Sequence, residues 1–348
     1  MKKLISVMTA ACMALSFAAC TGSDSGSSSD STASTSGSTS DTTATTEESG
    51  AADDTVYTVG ICQQMPHEAL DSATQGFKDA LVEKFGEDGI VFDEQNAQGD
   101  SNTCSTIVNG FVSSGYDLIM ANGTSALQAA AAGTADIPIL GTSVTEYGVA
   151  LGIDSFTGTV GGNISGTSDL APLDEQANML ADLCPVDQYP NVGMLYCSAE
   201  PNSEYQVEQV TNYLTEKGYT VEDYSFSDSN DLATIATNAA SNCDVIYVPT
   251  DNTAAANTEI INNICLPAGV PIIAGEQGIC SGCGIATLSI SYYDLGYATG
   301  EMAAKILTGE ADISTMPIEY APEFTKMYNP TNCEELGITV PDDYVAIE

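Results

Sequence analysis

Short apolar runs rich in Val, Ile and Leu, each closed by small polar residues and followed by a helical stretch, recur along this chain. In the first block they are TVGICQQ (58–64), IVFDEQN (90–96), DLIMANGTS (117–125) and IPILGTS (137–143). Amphipathic stretches lie between them. HEALDSATQGFKDALVEKFG (67–86) carries Leu70, Phe77, Ala80, Leu81 and Phe85 near helical spacing, and STIVNGFVSSG (105–115) is stopped by Gly115. After a glycine-rich passage, TGTVGGNISGTSD (157–169), the pattern restarts. VGMLYCSAE (192–200), YTVEDYSF (219–226), DVIYVPTDN (244–252), VPIIAGE (270–276) and IATLSIS (285–291) read as strands. NSEYQVEQVTNYLTEKG (202–218), TAAANTEIINNI (253–264) and YYDLGYATGEMAAKILTG (292–309) read as helices. Continuously apolar strands joined by helical crossovers build parallel sheets covered on both faces. Two such blocks predict an α/β protein of two doubly wound parallel-sheet lobes joined by a hinge. The last elements are expected to cross back. The first lobe then spans 55–165 plus about 288–318, and the second 166–287 plus about 319–348.

In open parallel sheets a ligand sits beyond the carboxyl ends of the strands, and two facing lobes make a hinged cleft for a small molecule. The residues that end the strands are therefore the candidates. The first block offers His67, Asn122, Thr124, Ser125, Thr142 and Ser143. Thr124 and Ser125 stand where a helix begins, so backbone N–H groups and the positive dipole end favour an anion there. The second block offers the carboxylates Glu200, Asp251 and Glu276, with Asn202 and Asn252 beside them. Hydroxyls for a carboxylate facing acids for an ammonium describe a site for an α-amino acid. The same residue types cap helices, so either role is open for each of them. His67, the one histidine, fits a cleft mouth, where it can stack or hydrogen-bond, or the first turn of a helix. Tyr292 and Tyr293 line either the cleft or the core.

Catalysis and cofactors find little support. A Ser-His-Asp triad would need His67, and no G-x-S-x-G surrounds any serine. Cys280-Ser281-Gly282-Cys283 has no second ligand pair for a structural metal and sits between strands amid glycines. It reads as structural thiols or a local disulfide, with redox chemistry the lesser reading. No metal or other cofactor is expected.

Charge narrows the partners. Seven lysines, no arginine and 48 acids give a formal net charge of −41. Nucleic acid and anionic lipid are poor partners for such a surface. An anionic ligand cannot be held by a guanidinium fork. At the N-terminus, Lys2 and Lys3 precede an apolar run, Leu4 to Phe17, shorter than the roughly 20 residues that span a bilayer. Residues 1–19 are expected to be a secretory signal ending at Ala18 and Ala19, with Cys20 lipidated or, alternatively, a bystander. After Cys20, the rest of residues 20–54 is dominated by Ser, Thr, Gly, Asp and Ala, a flexible tether reaching about 30–35 Å. The nine cysteines after Cys20 lack the regular spacing of a disulfide scaffold and read as buried small hydrophobes. A monomer is expected.

The stretches HEALDSATQGFKDAL, DEQNAQGDSNT, GTSVTEYGVALG, NISGTSDLAPLDEQ, YCSAEPNSEYQ, PTDNTAA, GEQGICSGCGIATLSISYYDLG and STMPIEYAPEF together resemble the bacterial ABC-transporter substrate-binding proteins that include tryptophan and tyrosine receptors. The resemblance covers nearly all of 56–348. It implies a periplasmic-binding-protein type I-like fold with three crossovers, capture of an aromatic amino acid, and delivery to a membrane permease powered by a separate ATPase. Through the more distant branched-chain receptors it implies Thr124, Ser125, Thr142 and Ser143 for the carboxylate and Asp251, then Glu276, for the amine. The alternatives are another small molecule on the same fold, such as a nucleoside or sugar, and a ligand-sensing module for a membrane kinase.

Overall fold

A computed structural model describes residues 55–347. The expected signal segment, Cys20 and the tether lie outside the described residues. Strands β1 (Tyr57–Gln63), β2 (Ile90–Asn96), β3 (Leu118–Asn122), β4 (Ile139–Val144) and β5 (Ile164–Ser168) form one sheet. Strands β6 (Asn191–Cys197), β7 (Thr220–Phe226), β8 (Val245–Val248), β9 (Ile272–Ala274) and β10 (Ala286–Ser289) form a second. The chain then returns to the first sheet with β11 (Glu319–Tyr320) and ends in the second with β12 (Thr325–Tyr328) and β13 (Val345–Ala346). The orders are β2-β1-β3-β4-β5-β11 and β7-β6-β8-β9-β10-β12-β13. Every pairing is parallel except β10 with β12. Both sheets are doubly wound, with order reversing between β1 and β3 and between β6 and β8.

Twelve helices cover these sheets among the described residues. They are α1 (Glu68–Phe85), α2 (Ser101–Ser114), α3 (Thr124–Gly133), α4 (Tyr147–Leu151), α5 (Leu173–Leu183) and α6 (Pro201–Glu216), followed by α7 (Ser229–Asn242), α8 (Asn252–Ala255), α9 (Thr258–Cys265), α10 (Gln277–Cys283), α11 (Tyr292–Leu307) and α12 (Pro330–Leu336). The central strands β3, β4 and β8 are buried along their whole length, as strands with helices on both faces must be.

Three segments pass between the sheets: 169–172, 290–291 and 321–324. The whole of β5 pairs with β4, so the chain leaves the first sheet after Ser168 rather than at 165. After the second passage α11 docks on α1 almost backbone to backbone. A Cβ on Gly76 would strike the Tyr293 carbonyl, and one on Gly296 would strike the Ala73 carbonyl.

Two local expectations change. The Cys280–Cys283 stretch does lie between two strands, β9 and β10, but it is helical, the end of α10, whose start Glu276 caps. Cys283 Sγ donates to the Ile279 carbonyl at 3.3 Å. The helix expected over 253–264 is broken, because the Asn257 side chain bonds the Thr253 carbonyl at 2.8 Å and a new helix starts at Thr258. Nine described cysteines, among them Cys280 and Cys283, are buried free thiols. Burial pushes Cys184 and Cys265 up to about 12, away from thiolate chemistry. No helix among the described residues is long and apolar enough to cross a membrane.

Candidate functional site

The carboxyl ends of the two sheets meet across a cavity lined by Ser143, Thr145, Asp169, Asn202, Glu276 and Tyr292, and also by His67, Leu70, Thr250, Asp251, Asn252 and Ala255. Its volume is about 10 Å³, room for about one water, so the lobes are shut on one another. One hydrogen bond across it, 3.1 Å long, joins His67 Nε2 of the first lobe to Asn252 Oδ1 of the second. The Asn252 amide is oriented by its Nδ2, which donates to Glu200 Oε2 at 2.7 Å. Its Oδ1 therefore faces the imidazole, and His67 Nε2–H is the donor. Burial lowers the pKa of His67, with Asn252 and then Glu200 and Asp71 opposing, so the ring is neutral at pH 7.

On the first lobe, Ser143 stands at φ 52°, a left-handed conformation uncommon outside glycine. Its hydroxyl is buried and has no partner. The other hydroxyls expected here turn elsewhere. Thr142 Oγ1 lies 3.1 Å from Thr167 Oγ1, which lies 2.8 Å from Thr299 Oγ1, a chain inside the lobe. Asn122 donates to the Leu70 carbonyl and to Thr74 Oγ1, tying α1 to β3. At the start of α3 the Ser125 N–H is taken by Gln64 Oε1 at 2.9 Å. Neither Thr124 nor Ser125 lines the cavity.

On the second lobe the three carboxylates are occupied by their own lobe. Glu200 receives the Asn252 and Thr253 N–H groups and the Thr253 hydroxyl, and lies outside the cavity lining. Asp251 Oδ2 accepts from Cys197 N–H at 2.7 Å and Ser203 Oγ at 2.8 Å, and Oδ1 caps α8 through Ala254 N–H at 2.8 Å. Glu276 takes the Gly278 and Ile279 N–H groups. Asp251 and Glu276 reach the cavity, yet their lone pairs already serve helix N-termini. Burial pushes Glu276 up to about 7, and burial, then Glu200, raises Asp251. Asn202 Nδ2 donates to the Thr250 carbonyl at 3.0 Å, whereas its Oδ1 is buried without a partner.

The hinge contributes two further groups. Asp169 opens the first passage between sheets and Tyr292 closes the second. The Tyr292 hydroxyl donates to Asp169 Oδ2 at 2.9 Å. Asp169 Oδ1 is buried and unpartnered. Burial raises its pKa, and the nearby Thr145 and Tyr292 hydroxyls partly offset that. The cavity lining thus holds one carboxylate with an unpartnered oxygen and a strained serine with an unpartnered hydroxyl.

The profile of ABC transporter substrate binding proteins matches residues 58–347. The chain belongs to that family. Among its relatives, this ABC substrate-binding protein is 35% identical over 282 residues to the tyrosine-binding protein of Clostridioides difficile, covering 80% of this chain and 81% of the relative. A Streptococcus pneumoniae ABC domain in complex with L-Trp superposes with a TM-score of 0.78 at 30% identity, covering 83% of this chain and 97% of the other. The ligand-free, open form of a Clostridium difficile substrate-binding protein with adhesive properties gives 0.65 at 35% identity, over 84% and 99%. The shape follows the L-Trp complex more closely although sequence identity favours the open protein, in keeping with shut lobes.

Sequence reasoning brought His67, Ser143, Asn202, Asp251, Asn252 and Glu276 to this substrate-binding protein's cavity. It left out Asp169, Thr145 and Thr250, gave Tyr292 two roles, and did not single out Gln64. Asp169 directly follows a strand, which is the signal that would have found it; the glycine-rich passage around it hid the strand.

Proposed function

We propose that this protein is the extracytoplasmic, lipid-anchored receptor of an ABC importer and captures an aromatic amino acid between its lobes. The buried, unpartnered Asp169 Oδ1 carries the reading. In a shut, poorly hydrated cleft such an oxygen calls for a cation with hydrogens to donate. An α-ammonium supplies both. The Ser143 and Thr145 hydroxyls then meet the carboxylate, and Leu70, Ala255, Tyr292 and His67 flank the side chain. The surrounding acids, with no arginine in the chain, hold the site's potential negative. The tyrosine and L-Trp named for the two relatives support a ring. The ring needs more room than the described cavity offers, so the loaded lobes stand farther apart than here. A permease that parts the lobes returns water to the charges, weakening them. Lipid on Cys20 and the tether of residues 20–54 would keep the receptor near that permease.

Isothermal calorimetry with L-Trp and L-Tyr tests this. Asp169→Asn is expected to weaken binding by about 100-fold or more, because it leaves a buried ammonium unpaired. Asp251→Asn, with its helix cap disturbed, is expected to lose stability more than affinity. Unchanged affinity in Asp169→Asn would move the amine to another residue. Failure of the unmodified protein to bind any aromatic amino acid would end the aromatic reading.

A further inference from the structure

The cavity holds a second acceptor that an α-amino acid's own ammonium and carboxylate leave over. Asn202, the second residue of α6, is 5% exposed and lines the cavity from the second lobe, whereas Asp169 enters it from the hinge passage. Its amide orientation is not free. Nδ2 lies 3.0 Å from the Thr250 carbonyl and 3.3 Å from both Glu200 Oε2 and Ser203 Oγ. The Thr250 carbonyl and the Glu200 carboxylate only accept, so turning the amide over would place oxygen against oxygen. Glu200 is itself fixed by Asn252 and Thr253. The second lobe therefore presents Asn202 Oδ1 as a preset acceptor, buried and unpartnered. A closed cleft that leaves such an atom unpaired loses its hydration with nothing in return.

We infer that Asn202 is a specificity-determining residue, and that the ligand's side chain carries a hydrogen-bond donor, a phenol O–H or indole N–H, that meets Asn202 Oδ1. The inference rests on the amino-acid reading above and narrows it. Asp169 in the hinge takes the ammonium, while Asn202 on the second lobe reads the ring. A phenyl ring fills the same space but leaves this oxygen unpaired, and a site built to bond a donor discriminates strongly against the analogue lacking it.

Calorimetry of the full chain with L-tyrosine, L-tryptophan, L-phenylalanine and 4-fluoro-L-phenylalanine tests it. The fluoro compound occupies the hydroxyl's place without a donor. The expected result is that tyrosine or tryptophan binds about 10- to 100-fold more tightly than both donor-free analogues. In Asn202→Leu the preference should shrink to within about 3-fold, chiefly because the donor-bearing ligands weaken. Equal binding of all four by the unmodified protein overturns this inference and leaves the aromatic reading standing; binding of none overturns both. If Asn202→Leu weakens tyrosine and phenylalanine alike, the oxygen serves the ammonium and the assignment is wrong. Should that variant fail to fold, the four ligands on the unmodified protein decide alone.

Discussion

Ser143 shows how one residue joins backbone strain to binding. Its left-handed conformation costs on the order of 1 kcal/mol, which glycine would not incur. Its hydroxyl is buried and unpartnered in the lining of the cavity that Asp169 also lines. Ser143→Gly is therefore expected to raise stability in urea unfolding by about 1 kcal/mol. Calorimetry should show ligand affinity falling by roughly 10-fold or more, the worth of a hydrogen bond to a charged group. A variant that lost both would assign Ser143 to packing alone. Residue roles were the least legible layer in the sequence. Asp251 and Glu276 present the carboxylates expected of an amine site, but capping a helix and binding an ammonium use the same lone pairs. Only the three-dimensional partners show that those lone pairs are taken. Asp169 differs by having one oxygen left over, and nothing in TGTVGGNISGTSD announces that.

At the level of elements, the strand-and-helix alternation was largely readable because buried parallel strands are apolar throughout and long helices carry a periodic face. The short helices were not. The helix α10 carries Gly278 and Gly282 and too few positions to show a period, and α8 and α9 hide a break made by one asparagine side chain. The contact between α1 and α11 was equally invisible, since it depends on glycines that meet across more than two hundred residues of chain. Gly296→Ala should force α11 off the Ala73 carbonyl and destabilise the protein by about 1–3 kcal/mol, read as a lower urea midpoint. Tyr292 opens the same helix and holds Asp169, so a loss of ligand affinity is expected to accompany it. An unaltered midpoint would mean that the two helices can part without consequence.

For the whole molecule, buried acids set the response to pH. Glu276 sits at about 7, and Asp251 and Asp169 are raised too, burial being the first cause in each. Between the usual carboxylate range and pH 7 the folded chain binds more protons than the unfolded one. Their contribution to stability is thus full at the acid end and is lost as pH rises through about 7. The formal charge of −41 adds self-repulsion in the same direction. Calorimetric Tm should be higher at pH 5.5 than at pH 7.5, by roughly a few degrees, and Glu276→Gln should narrow the gap. A Tm that drops on acidification over that interval would show that other groups dominate. The three passages between sheets have a further consequence, for synthesis. The first sheet gains its edge strand only once Tyr320 has been made, and the second only once Ala346 has. A chain cut short before Tyr320 therefore carries two unfinished sheets, and one cut between Tyr320 and Ala346 a finished first sheet beside an unfinished second, so the ribosome has nearly completed its task before either half can settle.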